Sequence, residues 1–185
     1  KSVNERTFLS GKSRIGHIFP TMEDPYIPLE KQFFAGGANS VRGWPARELR
    51  YTNFEVDSAG SASSYDFLQN FVGSSTIIEF SGEVRYQFPA FKSLSKPMRD
   101  FISGFGVTGF VDVGNAFGWF AENVETKVDW YEYVTKLAAS AGIGIWYKTP
   151  IGPFRVDFAY PLYDPSIIDK KYDEIQFHIG LGFSF

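Results

Sequence analysis

Ile175-Gln-Phe-His-Ile-Gly-Leu-Gly-Phe-Ser-Phe185 alternates large apolar residues with small or polar ones from its first position to its last. Ile175, Phe177, Ile179, Leu181, Phe183 and Phe185 fall on one face of an extended strand, and Gln176, His178, Gly180, Gly182 and Ser184 on the other. Successive side chains of a strand point to opposite sides, so this period of two predicts a strand with one apolar face. Rings on one side and small polar groups on the other suit a wall strand whose outer face meets lipid and whose inner face meets a polar lumen. Such a strand needs about 9 to 11 residues.

Four upstream segments repeat the scheme. Leu137 to Lys148 sets Leu137, Ala139, Ala141, Ile143, Ile145 and Tyr147 against Ala138, Ser140, Gly142, Gly144, Trp146 and Lys148. Phe154 to Tyr160 sets Phe154, Val156, Phe158 and Tyr160 outward and Arg155, Asp157 and Ala159 inward. Thr76 to Phe88 places Ile78, Phe80, Gly82, Val84, Tyr86 and Phe88 outward, with Glu79, Ser81, Glu83, Arg85 and Gln87 inward. Phe101 to Gly114 places Phe105, Val107, Gly109, Val111 and Val113 on one face, and Thr108, Phe110, Asp112 and Gly114 on the other. A sixth strand falls between about Glu5 and Phe19, where the alternation is poor. A soluble sandwich also alternates. The terminal Phe and the ring-rich faces favour lipid.

Composition agrees. The 185 residues are 18% aromatic, yet mean hydropathy is only -0.15. No run of about 18 apolar residues occurs, which excludes a transmembrane helix of normal length. A net charge of -3 without a basic stripe argues against nucleic acid as a partner. The absence of Cys removes disulfides and thiolate metal sites. Lys1 to Ser10 is polar where a signal peptide would be apolar, so no export signal is expected there and an exported chain would be a fragment.

Connector lengths give an orientation, because outer-membrane barrels pair short periplasmic turns with long extracellular loops. Lys148-Thr-Pro-Ile-Gly-Pro153 is a tight turn, whereas Phe117 to Lys136 and Leu162 to Glu174 are longer and polar. The tight turn, the Pro89 to Asp100 connector and the C-terminus are then periplasmic, and the very long Pro20 to Ser75 connector is extracellular. Ser58 to Ser64 suits a mobile tip, while Phe33 to Arg50, dense in aromatics, Gly and Arg, suits a packed loop.

Within that loop, Lys31-Gln-Phe-Phe-Ala-Gly-Gly-Ala-Asn-Ser-Val-Arg-Gly-Trp44 closely resembles the signature of the BamA/TamA superfamily of outer-membrane assembly and translocation barrels (the bacterial surface antigen type). Val41, Arg42, Gly43 and Trp44 form the core of the match, and Phe33, Gly36 and Gly37 extend it. Phe110-Val-Asp-Val-Gly114 is similar to an aromatic-x-Asp-x-Gly motif on the family's strand 13, and Glu83 lies where its strand 12 carries an inward Glu. Gly152 to Pro161 is similar to strand 15, and the terminal strand resembles an assembly signal, carried here by Phe177, Ile179, Leu181, Phe183 and Phe185. The resemblance implies an all-β fold. Residues 1–185 would be the C-terminal portion, about six strands, of one antiparallel transmembrane β-barrel of 16 strands, with the 20–75 loop as an inward-folded loop 6. It also implies missing N-terminal strands and periplasmic POTRA repeats.

The chemistry of Arg42 follows from its placement. A guanidinium on a loop inserted into a lumen needs an anionic partner, since a desolvated charge without one costs several kcal/mol. Asp112 and Glu83 both face inward, and the planar guanidinium can grip one carboxylate with two bonds and still reach another. An Arg42 to Asp112 contact is therefore expected. Gly43 would allow close backbone approach, Trp44 and Phe33 would pack the loop on the wall, and Arg155 and Asp157 would form a structural ion pair.

Other signals carry no chemistry. Gly104-Phe-Gly-Val-Thr-Gly109 fits a dinucleotide pattern but lies in a strand rather than before a helix. His17 and His178 have no ligand cluster, so neither metal nor cofactor is expected, and His178 reads as a lumen-facing polar residue. No nucleophile elbow is present, and the chain reads as a non-enzyme. Trp119, Trp130, Tyr131, Tyr133 and Tyr163 flank strands as interfacial girdle residues do.

The resulting expectation is a bacterial outer-membrane protein that inserts β-barrel proteins or translocates polypeptide, handling client strands at the seam formed by Ile175 to Phe185. Its partners would be the lipid bilayer, unfolded outer-membrane or secreted clients, and the missing strands or other copies of the chain. The alternatives are a two-partner secretion translocator and a passive channel or receptor.

Overall fold

A computed structural model describes residues 5–19, 28–51, 73–117, 130–165 and 174–183. Six strands form one sheet in sequence order, each antiparallel to the next: β1 (Thr7–His17), β2 (Thr76–Gln87), β3 (Phe105–Phe117), β4 (Ala138–Thr149), β5 (Gly152–Tyr163) and β6 (Gln176–Leu181). The sheet is not closed, and β1 and β6 are its edges. Among the described residues two short α-helices lie in connectors, α1 (Lys96–Ser103) and α2 (Trp130–Thr135). Among the described residues no helix is long and apolar enough to cross a membrane. The strands have the length for it: β2 and β4 hold 12 residues each, about 40 Å of chain that spans roughly 28 Å when tilted near 45°.

The pleat sorts the side chains as the alternation predicts. Phe80, Val84, Val107, Val111, Ile143, Ile145, Phe158, Ile179 and their row neighbours are exposed on the outer face. Glu79, Glu83, Arg85, Asp112, Ser140, Arg155 and Asp157 are buried on the inner one. An apolar surface this continuous is a liability in water and a requirement in lipid. β1 alternated poorly because small Gly11 and Ser13 interrupt its outer row of Leu9 and Ile15, while Lys12 and Arg14 stand on the inner face. Its pairing with β2 runs unbroken over all eleven residues.

Four expectations change. Phe101 to Ser103 is not strand but the last turn of α1; Pro97 presets its first turn, and β3 begins at Phe105. Ile78 sits on the outer row yet is buried, covered by a cluster with Tyr51 and Phe117. Tyr133 joins that cluster with its ring 4.5 Å from that of Phe117, so it is loop packing rather than girdle. Phe183 leaves the outer row altogether. Gly182 has φ +86°, a left-handed conformation that breaks the period of two, and its N–H bonds Pro153 O at 2.7 Å. Phe183 consequently turns inward, edge-on to Trp146 at 5.6 Å and with the Arg85 guanidinium 3.9 Å from its ring centre. The Ser58 to Ser64 tip, Trp119 and Phe185 lie outside the described residues.

Phe183→Leu keeps most of the apolar area but removes the π face over Arg85. Unfolding by urea in lipid is expected to show a loss of about 1 kcal/mol; a stability equal to the parent's would mean that the inward turn contributes nothing through the cation.

Candidate lumenal lock

Residues 33–49 of the long loop lie against the inner face and supply the apolar core that the sheet lacks. Phe33 pairs with Ser74 and Ala35 with Leu49 as isolated bridges, which fold residues 33–49 back on themselves. Gly36 and Gly37 both have positive φ, and Gly37 N–H bonds Trp44 O at 2.9 Å, closing the turn that presents the motif. Val41 and Trp44 then pack with Ala35, Leu49 and the wall residues Ile77, Ala116 and Ala138, and Phe33 flanks them. Gly114 lies directly behind: a Cβ there would meet Ile78 O at 2.6 Å.

Packing at this depth carries Arg42 to 1% exposure among inward charges. Its Nε and Nη2 donate to the two oxygens of Asp112 at 2.7 and 2.8 Å, and its backbone N–H adds a third bond to Asp112 at 3.1 Å. Nη1 donates to Glu83 at 2.7 Å and lies 3.6 Å from Asp157. Ser81 Oγ, on the strand beside β3, donates to Asp112 at 2.5 Å and accepts from Arg42 at 3.3 Å. The flat guanidinium rests on the Phe110 ring, 3.4 Å from its centre. Lys, with one point charge, could not fill this fork. Burial works against the Arg42 charge, but the bonds to Asp112, with the fields of Asp112 and Glu83, outweigh it and raise its pKa above the ordinary arginine value.

The surrounding charges close the balance. Arg85 also grips Glu83, at 2.5 and 2.7 Å, and Arg155 pairs with Asp157 at 2.5 Å. Three guanidiniums thus face three carboxylates, so no net charge is stranded in the cluster. Arg155 reaches back to the loop as well, donating to Ala38 O and Asn39 Oδ1 at 2.6 Å each.

Every strand of the sheet holds the loop. On β1, Lys12 bonds Asn39 O at 2.6 Å and Arg14 bonds Phe34 O at 3.1 Å. On β2, Glu79 accepts from Ser40 Oγ. On β4, Ser140 Oγ accepts from Gly43 N–H at 3.2 Å, and a Cβ on Gly43 would stand 2.6 Å from that of Ser140. On β6, His178 Nε2 lies 2.8 Å from Arg42 O. A carbonyl only accepts, so Nε2 must carry the proton.

Sequence reasoning reached Arg42 through the motif resemblance, and Asp112 and Glu83 through inward parity on their strands. It missed Ser140, Arg14, Lys12 and the His178 bond to Arg42, whose partners on the loop are mostly backbone groups. Phe177, Ile179 and Leu181 project outward from β6 and are more than half exposed, with no part in the lock.

The sequence matches the model of the Omp85 superfamily domain over residues 1–185. The chain belongs to the Omp85 superfamily. Its sheet is accordingly a portion of an outer-membrane β-barrel. It is similar to the outer membrane protein assembly factor BamA of Neisseria meningitidis, 28% identical over 170 residues, which is 86% of this chain and 19% of that relative. The crystal structure of BamA from Haemophilus ducreyi lacking POTRA domains 1–3 has a similar fold, with a TM-score of 0.60 at 21% identity over 96% of this chain and 32% of that one. The chain therefore spans less than a third of the length of either protein.

Gly43→Ala is expected to destabilise the folded barrel by about 1–3 kcal/mol, because the added methyl overlaps Ser140. Adding Ser140→Gly to that variant should recover part of the loss, read as the urea midpoint in lipid; no recovery would mean that the loop does not seat against β4 at this distance.

Proposed function

We propose that this segment is the closing part of an outer-membrane machine that inserts β-barrel proteins or moves polypeptide across the membrane, with client strands handled at β6. Support comes above all from the bond between His178 on β6 and the backbone of Arg42, which couples the edge strand to the lock. A β6 that detaches from other strands keeps this tether, so its edge can be offered to an incoming strand without the sheet unravelling. An edge presents unpaired N–H and C=O groups, and an extended client segment satisfies them by adding as a further strand. The process needs no side-chain catalysis and no cofactor, and we read the protein as a non-enzyme.

Sidedness follows in the same reading. The short β4–β5 turn and the C-terminus face the periplasm, and the long loop enters the lumen from the outside. The remaining partners are upstream strands that would complete a 16-stranded barrel, the POTRA repeats that precede it, and the bilayer. Unfolded outer-membrane or secreted proteins are the clients.

In the full-length protein, Arg42→Ala should lower the folded fraction and slow the assembly of newly made barrel proteins, and a photo-crosslinker at Phe177 should capture client strands. Conductance through reconstituted protein, with client assembly intact in the Arg42→Ala strain and crosslinks only to lipid, would favour a passive channel. Crosslinks to a single dedicated exoprotein would point to a secretion translocator.

A further inference from the structure

The connector between β2 and β3 holds a feature that the lock does not use. In α1, Met98, Phe101 and Ile102 fall within one third of the helical circumference, while Lys96, Arg99, Asp100 and Ser103 occupy the other side. Met98 is 53% exposed and Phe101 56%. Just upstream, Phe91 is half exposed beside Lys92. Among the described residues, the helix meets the sheet through its last turn, at Phe101 and Ser103.

That attachment fixes its direction. The Phe101 ring lies 5.1 Å from Phe105 and 5.6 Å from Tyr147, and those two rings are 4.7 Å apart. Phe105 and Tyr147 belong to the outer rows of β3 and β4. The apolar side of α1 is therefore continuous with the lipid-facing wall and extends it at the rim, next to the β4–β5 turn, whose Ile151 is 80% exposed. Lys92, Lys96 and Arg99 stand against the single acid Asp100 in residues 91–103, a local charge of +2 in a chain of -3. Arg99 contacts Asp100 only at 3.8 Å.

We propose that α1 is an interfacial anchor: Met98, Phe101 and Phe91 seat in the acyl–headgroup boundary, and Lys92, Lys96 and Arg99 bind the phosphates of anionic phospholipids. An amphipathic helix with basic residues opposite its apolar side takes this position in a bilayer, and basic residues beside a membrane gain from an anionic surface. A protein partner would have to cover a surface that merges with the lipid-facing wall, so its footprint would displace lipid. The anchor holds the β2–β3 rim, and with it Glu83 and Asp112, at a fixed depth. It stands independently of client handling, because its readout is lipid contact.

The test uses the full-length protein carrying Met98→Cys, with other cysteines removed, labelled with an environment-sensitive fluorophore in phosphatidylethanolamine vesicles with and without phosphatidylglycerol. Blue-shifted emission, quenched by lipids spin-labelled near the headgroup and shielded from an aqueous quencher, is expected, and it should strengthen with phosphatidylglycerol. Lys92→Gln, Lys96→Gln and Arg99→Gln together should remove the dependence on phosphatidylglycerol, shifting the seated-to-lifted ratio by roughly fivefold per charge. Folding of each variant is checked by its resistance to protease. Full access to the aqueous quencher overturns the proposal, as does shielding without lipid quenching, which would mark a protein contact. Lipid quenching indifferent to phosphatidylglycerol and to the three cations overturns the headgroup assignment.

Discussion

The bonds from Arg42 to Asp112 and Glu83 set the terms for the rest of the molecule. A buried guanidinium is tolerated only when its donors are satisfied, and losing one partner of such a pair typically costs about 3–5 kcal/mol. Here the fork is filled from two adjacent strands, at 2.7 and 2.8 Å from β3 and 2.7 Å from β2. The charge cannot leave without stranding both carboxylates, so the loop that carries it is held at one depth and one register. Phe110 beneath the guanidinium and Ser81 beside it remove the remaining freedom.

This lock explains why an inside-out sheet has an interior at all. The wall turns its apolar residues to lipid and its charges inward, so it has no hydrophobic core of its own on the lumenal side. The loop brings one, in Val41, Trp44, Ala35 and Leu49 against Ile77, Ala116 and Ala138. Hydrophobic contact and ionic pairing are divided along the sheet. The apolar cluster fills one end of the inner face, and the charges of Arg42, Arg85 and Arg155 with their carboxylates fill the middle. Because β1 and β6 both hold the same loop, the two edges of the sheet are mechanically joined through it.

Much of this was legible because a strand's period is fixed by the pleat. Once Phe110 was outward or inward, so were Asp112 and Gly114, and the charge requirement of Arg42 then selected Asp112 and Glu83. Legibility failed where local geometry breaks the period. Phe183 continues the pattern in sequence, but the left-handed Gly182 reverses it, and a glycine in a glycine-rich strand gives no warning of its φ. Pro97 was the available sign that Phe101 to Ser103 belongs to a helix. Bonds to backbone atoms were beyond reach, since nothing in the letters of His178 or Ser140 names the loop carbonyl or amide that it meets.

The most direct test is a double-mutant cycle on Arg42→Ala and Asp112→Ala in the full-length protein, with unfolding free energies measured in lipid. A lock between the two residues predicts that the double variant loses less than the sum of the two single ones, with a coupling of about 2–3 kcal/mol. Strict additivity would contradict it, because it would mean that Arg42 and Asp112 stabilise the barrel independently and that no lock joins the loop to the wall.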